Sequence, residues 1–106
     1  MAAHDELIAA YAAERPRSGS WHQRARGALA GGVAHDLRHS EPVPLYIHRG
    51  RGSRKWDADG NEYIDYLGSW GPLVLGHSHP AVVEAIKKSA ESGTSFGAPV
   101  EQEVEL

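Results

Sequence analysis

The sequence predicts an α+β chain: helices around a small three-stranded antiparallel sheet. Three observations carry this. Asp59-Gly60 stands between runs holding Trp56, Tyr63, Ile64 and Tyr66, a turn signal flanked by β-favouring residues, so a short hairpin is the cheapest local structure. Leu45-Tyr46-Ile47-His48 follows Pro42 and Pro44, which hold the backbone extended, and reads as a third strand. His79-Pro80 introduces AVVEAIKKSAE, a helix with proline at its first position.

The remaining elements follow in chain order. Residues 3–14 form an amphipathic helix with Leu7, Ile8 and Tyr11 on one side, ended by Arg15-Pro16. RPRSGS reads as a linker, and Ser20 with Gln23 as a capping box opening a second helix whose Trp21, Ala25, Ala28 and Leu29 share a face, stopped by Gly31-Gly32. This divides the chain into an N-terminal helix and linker, 1–19, and a main segment, 20–106. In the helix after Pro80, Val82, Val83, Ile86 and Ala90 supply the buried side, Glu84 can pair with Lys87 or Lys88, and Gly93 is the stop. Gly68, Gly71, Pro72 and Gly76 forbid a regular element over 68–79, yet Trp70, Leu73, Val74 and Leu75 are too apolar for a solvated loop, which therefore needs a surface to lie on. Stretches 31–44, 68–79 and 92–106 lack a clear element, and Val100 to Leu106 reads as a helix beginning at the last residues. So much irregular chain in 106 residues leads to the expectation of a fragment.

Composition narrows the function classes. A net charge of −3 gives no electrostatic reason to expect nucleic acid or an anionic membrane. There is no cysteine, hence no disulfide or thiolate site. Asp5 and Glu6 stand where a signal peptide carries positive charge, and no run has membrane length, so cytoplasm is the expected compartment.

Several blocks of residues, in order, resemble the N-terminal part of class III pyridoxal-phosphate aminotransferases, most closely the branch containing glutamate-1-semialdehyde 2,1-aminomutase. They are Gly52-Ser53-Arg54-Lys55-Trp56-Asp57, Asp59 through Tyr66, Gly68-Ser69-Trp70-Gly71-Pro72, Leu75-Gly76-His77-Ser78-His79-Pro80 and Ser95-Phe96-Gly97-Ala98-Pro99. The resemblance runs from about Arg26 to Leu106. It implies the N-terminal part of a fold-type I enzyme, with the large cofactor-binding domain absent, that works as a homodimer on amino and keto carboxylates with pyridoxal 5'-phosphate.

Arg38 ends the segment Gly31-Gly32-Val33-Ala34-His35-Asp36-Leu37-Arg38. A guanidinium offers a planar fork of donors matched to a carboxylate, although a lone loop arginine is ordinarily a surface charge. The resemblance assigns it the substrate carboxylate. It also assigns Trp70 to the wall of the substrate site, where a core anchor is the competing role. Ser69, Gly71, Ser95, Phe96 and Gly97 become candidate active-site loop residues. The aminomutase pattern after Gly-Gly-Val is Asn-Ser-Pro-Val-Arg, whereas Ala34-His35-Asp36-Leu37-Arg38 stands here. This departure leaves the cofactor expectation intact and weakens the aminomutase expectation, with transfer between molecules and transfer within one molecule both still open.

No catalytic residue is expected within the chain. Neither Lys55 on a strand nor Lys87 and Lys88 on a helix face is in a setting that resembles the Schiff-base lysine, and Gly50-Arg51-Gly52-Ser53 matches no phosphate-binding glycine motif. A calcium loop at Asp57, Asp59 and Asn61 fails because Glu62 occupies the place that needs glycine. The spacings His77-x-His79 and His35 to His39 suit a metal, but none is expected. Basic residues from His48 to Lys55, beside Tyr46 and Trp56, leave a nucleic-acid ribbon as a rival, opposed by the acidic run from Asp57 to Asp65. A non-catalytic remnant is the other alternative.

Overall fold

A computed structural model describes residues 1–105. Helices α1 (Ala2–Ala13) and α2 (Pro16–Arg26) come first, followed by single 3₁₀ turns at Ala30–Gly32 and Asp36–Arg38. Strands β1 (Ile47–Arg51), β2 (Arg54–Asp57) and β3 (Glu62–Ile64) then form one antiparallel sheet in the order β1-β2-β3. Helices α3 (Pro80–Ser92) and α4 (Gln102–Glu105) complete the chain. The expected α+β class and three-stranded sheet are both present. Leu106, the last residue of the expected terminal helix, lies outside the described residues.

Helix α2 corrects the expected linker. It begins at Pro16, not Ser20, and Ser18 is fully buried in its first turn. Pro16 is therefore a helix starter, and the anion that caps this terminus comes from far along the chain. Both Asp59 oxygens accept hydrogen bonds there: Arg17 N–H at 2.7 Å, Ser18 N–H at 3.0 Å and Ser18 Oγ at 2.9 Å. Ala28 and Leu29 lie beyond the end of α2 at Arg26, so the expected apolar face is shorter.

The first strand is also displaced toward the C-terminus, to Ile47–Arg51 in place of Leu45 to His48, because Gly50 belongs to the sheet. The His77 ring covers it, and a Cβ at Gly50 would lie 2.6 Å from His77 Cγ. Glycine is what permits that approach. The turn between β2 and β3 is built on Asp57, 2% exposed, which accepts from Asp59 N–H, Asn61 N–H, Asn61 Nδ2 and Tyr63 OH at 2.7–3.0 Å. Arg15 Nε donates to Tyr63 OH at 3.2 Å, joining this turn to the α1–α2 junction.

Apolar packing is thin. Among the described residues no large apolar side chain is buried, and the Cα radius of gyration is 18.3 Å, against about 13 Å for a compact chain of this length. The expected buried side of α3 is open, with Val82 42% and Ile86 63% exposed. Val74 and Leu75, which call for a surface to lie on, are likewise uncovered within this chain. No helix among the described residues is long and apolar enough to cross a membrane.

Candidate substrate-recognition site

Arg38 is held by local geometry. His35 is extended and its Nδ1 accepts the Leu37 N–H at 3.2 Å, while Asp36 Oδ1 accepts the same N–H at 2.9 Å, which starts the single turn that ends at Arg38. The guanidinium has no carboxylate within ion-pair distance among the described residues. Trp70 is held by an uncommon backbone. Gly68, Ser69, Trp70 and Gly71 have φ of 54°, 58°, 62° and 108°, a left-handed run in which two members carry side chains. Gly68 O closes it by accepting the N–H of Gly71 at 3.1 Å and of Leu73 at 3.2 Å.

These two distant segments meet. Arg38 and Trp70 line one cavity of about 640 Å³, together with Tyr11, Tyr46, Lys55 and an apolar set that includes Leu29, Val33, Leu37, Leu45, Ile47 and Leu67. The Trp70 ring also approaches His35 at a centroid distance of 6.4 Å, tilted by 45°. A largely apolar concavity with a few convergent polar groups is the usual form of a small-molecule site. Ser69 and Gly71 flank Trp70 without lining it. Ser95, Phe96 and Gly97 are not brought to it: they line a separate, open concavity after α3 with Ser92, Glu101 and Glu103.

Lys55 and Tyr46 are cavity residues that sequence reasoning did not pick out as site residues, and the signal for both was their place in or next to a strand of the hairpin. Lys55 Nζ is bound at 3.0 Å by Asp65, whose side chain is 4% exposed. His77 Nε2 stands 2.6 Å from the other Asp65 oxygen. His77 and then Lys55 hold the Asp65 carboxyl well below the ordinary range. In Asp57, burial alone would raise the carboxyl, but the hydrogen bonds from Asn61, Tyr63 and two backbone N–H groups outweigh it and the net shift is downward.

The described residues do not fit a pyridoxal phosphate site. Lys55 is engaged by Asp65, Lys87 by Glu84 at 2.7 Å, and Lys88 is exposed on α3. The α2 N-terminus, a place suited to a phosphate, already holds the Asp59 carboxylate. The basic ribbon is largely spoken for as well: Arg54 pairs with Glu62, Lys55 with Asp65, and the Arg49 guanidinium stacks 3.9 Å over Trp56. Among the described residues no three His, Asp or Glu side chains could together hold a metal ion.

Residues 36–106 match the family model Aminotransferase class-III. The chain belongs to the class III aminotransferase family. It is 59% identical over 86 residues to a glutamate-1-semialdehyde 2,1-aminomutase of Syntrophomonas wolfei, covering 78% of this chain and 20% of that protein. A solved transaminase with PLP bound matches at a TM-score of 0.80 and 41% identity, over 85% of this chain and 21% of its own. An omega-transaminase from Sphaerobacter thermophilus matches at 0.78 and 36%, over 82% and 20%. The chain thus spans about a fifth of the length of the relatives it matches.

Proposed function

We propose that this segment recognises the substrate of a pyridoxal-phosphate-dependent aminotransferase, Arg38 taking the substrate carboxylate and Trp70 walling the site beside it. The observation that carries this is the shared cavity. An arginine with no acidic partner among the described residues and a tryptophan on a strained loop, far apart in sequence, line the same concavity. Backbone strain of this kind persists where the surroundings over-determine it and clusters at ligand sites. For the whole protein the reading is transfer of an amino group between an amino compound and a keto acid or aldehyde. Pyridoxal phosphate, when bound, supplies the electron-withdrawing chemistry and is held mainly by residues other than these. On this reading the 106 residues alone do not transaminate, and the working protein is a cytoplasmic homodimer.

The test is Arg38→Ala in the intact protein. Loss of a charge-assisted pair of about 2–3 kcal/mol predicts a raised KM for carboxylate substrates and kcat/KM lower by roughly a hundredfold. An unchanged KM contradicts the assignment.

A second reading, transfer within one molecule, is favoured by the name of the Syntrophomonas wolfei relative. Residues Ala34-His35-Asp36 in place of Asn-Ser-Pro weigh against it. Strict dependence of turnover on an added amino acceptor favours the first reading, and turnover of one amino aldehyde without acceptor favours the second.

A further inference from the structure

We propose that Asp65 and His77 are positioning residues that clasp the two ends of the 67–77 loop to the β1–β2 hairpin and thereby fix the Trp70 wall of the cavity. The proposal deepens the reading of that cavity as a substrate site and rests on it for its catalytic consequence, though the clasp itself can be measured without substrate.

One carboxylate serves both ends of the loop. Asp65 Oδ1 accepts the N–H of Leu67 at 3.1 Å and of Gly68 at 3.3 Å, so it sets the direction in which the left-handed run departs. The same oxygen is anchored by Lys55 Nζ from β2. Asp65 Oδ2 takes His77 Nε2 at the far end. The anchors are themselves fixed. Asp65 N–H donates to Ser53 O at 2.8 Å, and His77 exchanges both backbone hydrogen bonds with Gly52 at 2.8 Å while its ring lies on Gly50. Between the ends, the loop's backbone bonds are local: Gly71 and Leu73 to Gly68, Val74 to Pro72, Gly76 to Leu73. None of these ties Trp70 to the sheet. The orientation of the Trp70 segment against Arg38 therefore passes through Asp65, with His77 closing the ring.

Glutamine can place an amide N–H about where His77 Nε2 lies, whereas asparagine keeps the polarity and falls short of Asp65. Hydrogen exchange of residues 67–77, measured in the intact protein, should be about tenfold faster or more in His77→Asn and Asp65→Asn and close to wild type in His77→Gln, with β1–β3 amides unchanged in all three. KM for a carboxylate substrate should rise in the two fast-exchanging variants by a larger factor than kcat falls, and return in His77→Gln. Wild-type exchange in His77→Asn, or equal acceleration in His77→Gln, overturns the proposal. Faster loop exchange with an unchanged KM leaves the clasp standing and removes the substrate-site reading instead.

Discussion

Asp59 caps the helix that holds Ser18: its Oδ2 accepts both the Ser18 N–H and the Ser18 hydroxyl, at 3.0 and 2.9 Å, across 41 residues of sequence. This bond joins the helical N-terminal part to the sheet, and Ser18 is one of the few fully buried side chains. Asp59→Ala should cost about 1–2 kcal/mol, the usual loss for a helix cap, read as a lowered denaturation midpoint. Asp59→Asn, which keeps an acceptor, should cost less. Equal losses would mean that charge alone, not the cap, holds the two parts together.

The left-handed run at Gly68 to Gly71 carries at Ser69 a side chain that makes no hydrogen bond among the described residues. A non-glycine residue in this conformation costs about 1–2 kcal/mol, part of which glycine returns as lost chain entropy, about 0.5–1 kcal/mol. Ser69→Gly should therefore be neutral to stabilising by up to about 1 kcal/mol in urea. A loss of that size would show that the Ser69 side chain does something in the loop beyond tolerating its backbone.

Acid should loosen the structure through specific carboxylates. Asp65, facing His77 and Lys55, and Asp57, facing Asn61 and Tyr63, both have depressed pKa values in the folded chain. A depressed carboxyl contributes stability that is full above its unfolded value near about 4 and is lost as pH falls through the lower folded value. The contribution of these two carboxylates should be full above about pH 5 and decline steadily below about pH 4. Asp65→Asn should flatten part of that decline, and in the wild type the protection of the 67–77 amides, corrected for the intrinsic pH dependence of exchange, should fall over the same range. A wild-type loop insensitive to acid would contradict the role given to Asp65.

Much of this was legible in the residues, and the misses have physical causes. Asp59-Gly60 and His79-Pro80 announced the second hairpin and α3 because their signals are local. Pro16 misled because proline both ends helices and starts them. Asp59, which decides between the two, is 42 residues away from Arg17 in sequence. The sequence ends the first strand at His48, short of Gly50, because nothing local says that the His77 ring will cover that glycine. The two residues singled out for substrate, Arg38 and Trp70, do line one cavity, but Asp65 and Lys55 were invisible as neighbours because their meeting depends on sheet register. Burial of the α3 face was expected from its periodicity, which reports only that a face is apolar and not whether this chain covers it.

The central claim is that Arg38 reads a carboxylate beside Trp70. The most direct measurement is kcat/KM of wild type and Arg38→Ala, in the intact protein, on a carboxylate substrate and on its carboxamide counterpart. Substitution should cost roughly a hundredfold on the carboxylate and little on the carboxamide, since only the charged group gains from the guanidinium fork. Equal losses on both substrates, or no loss on the carboxylate, would contradict it.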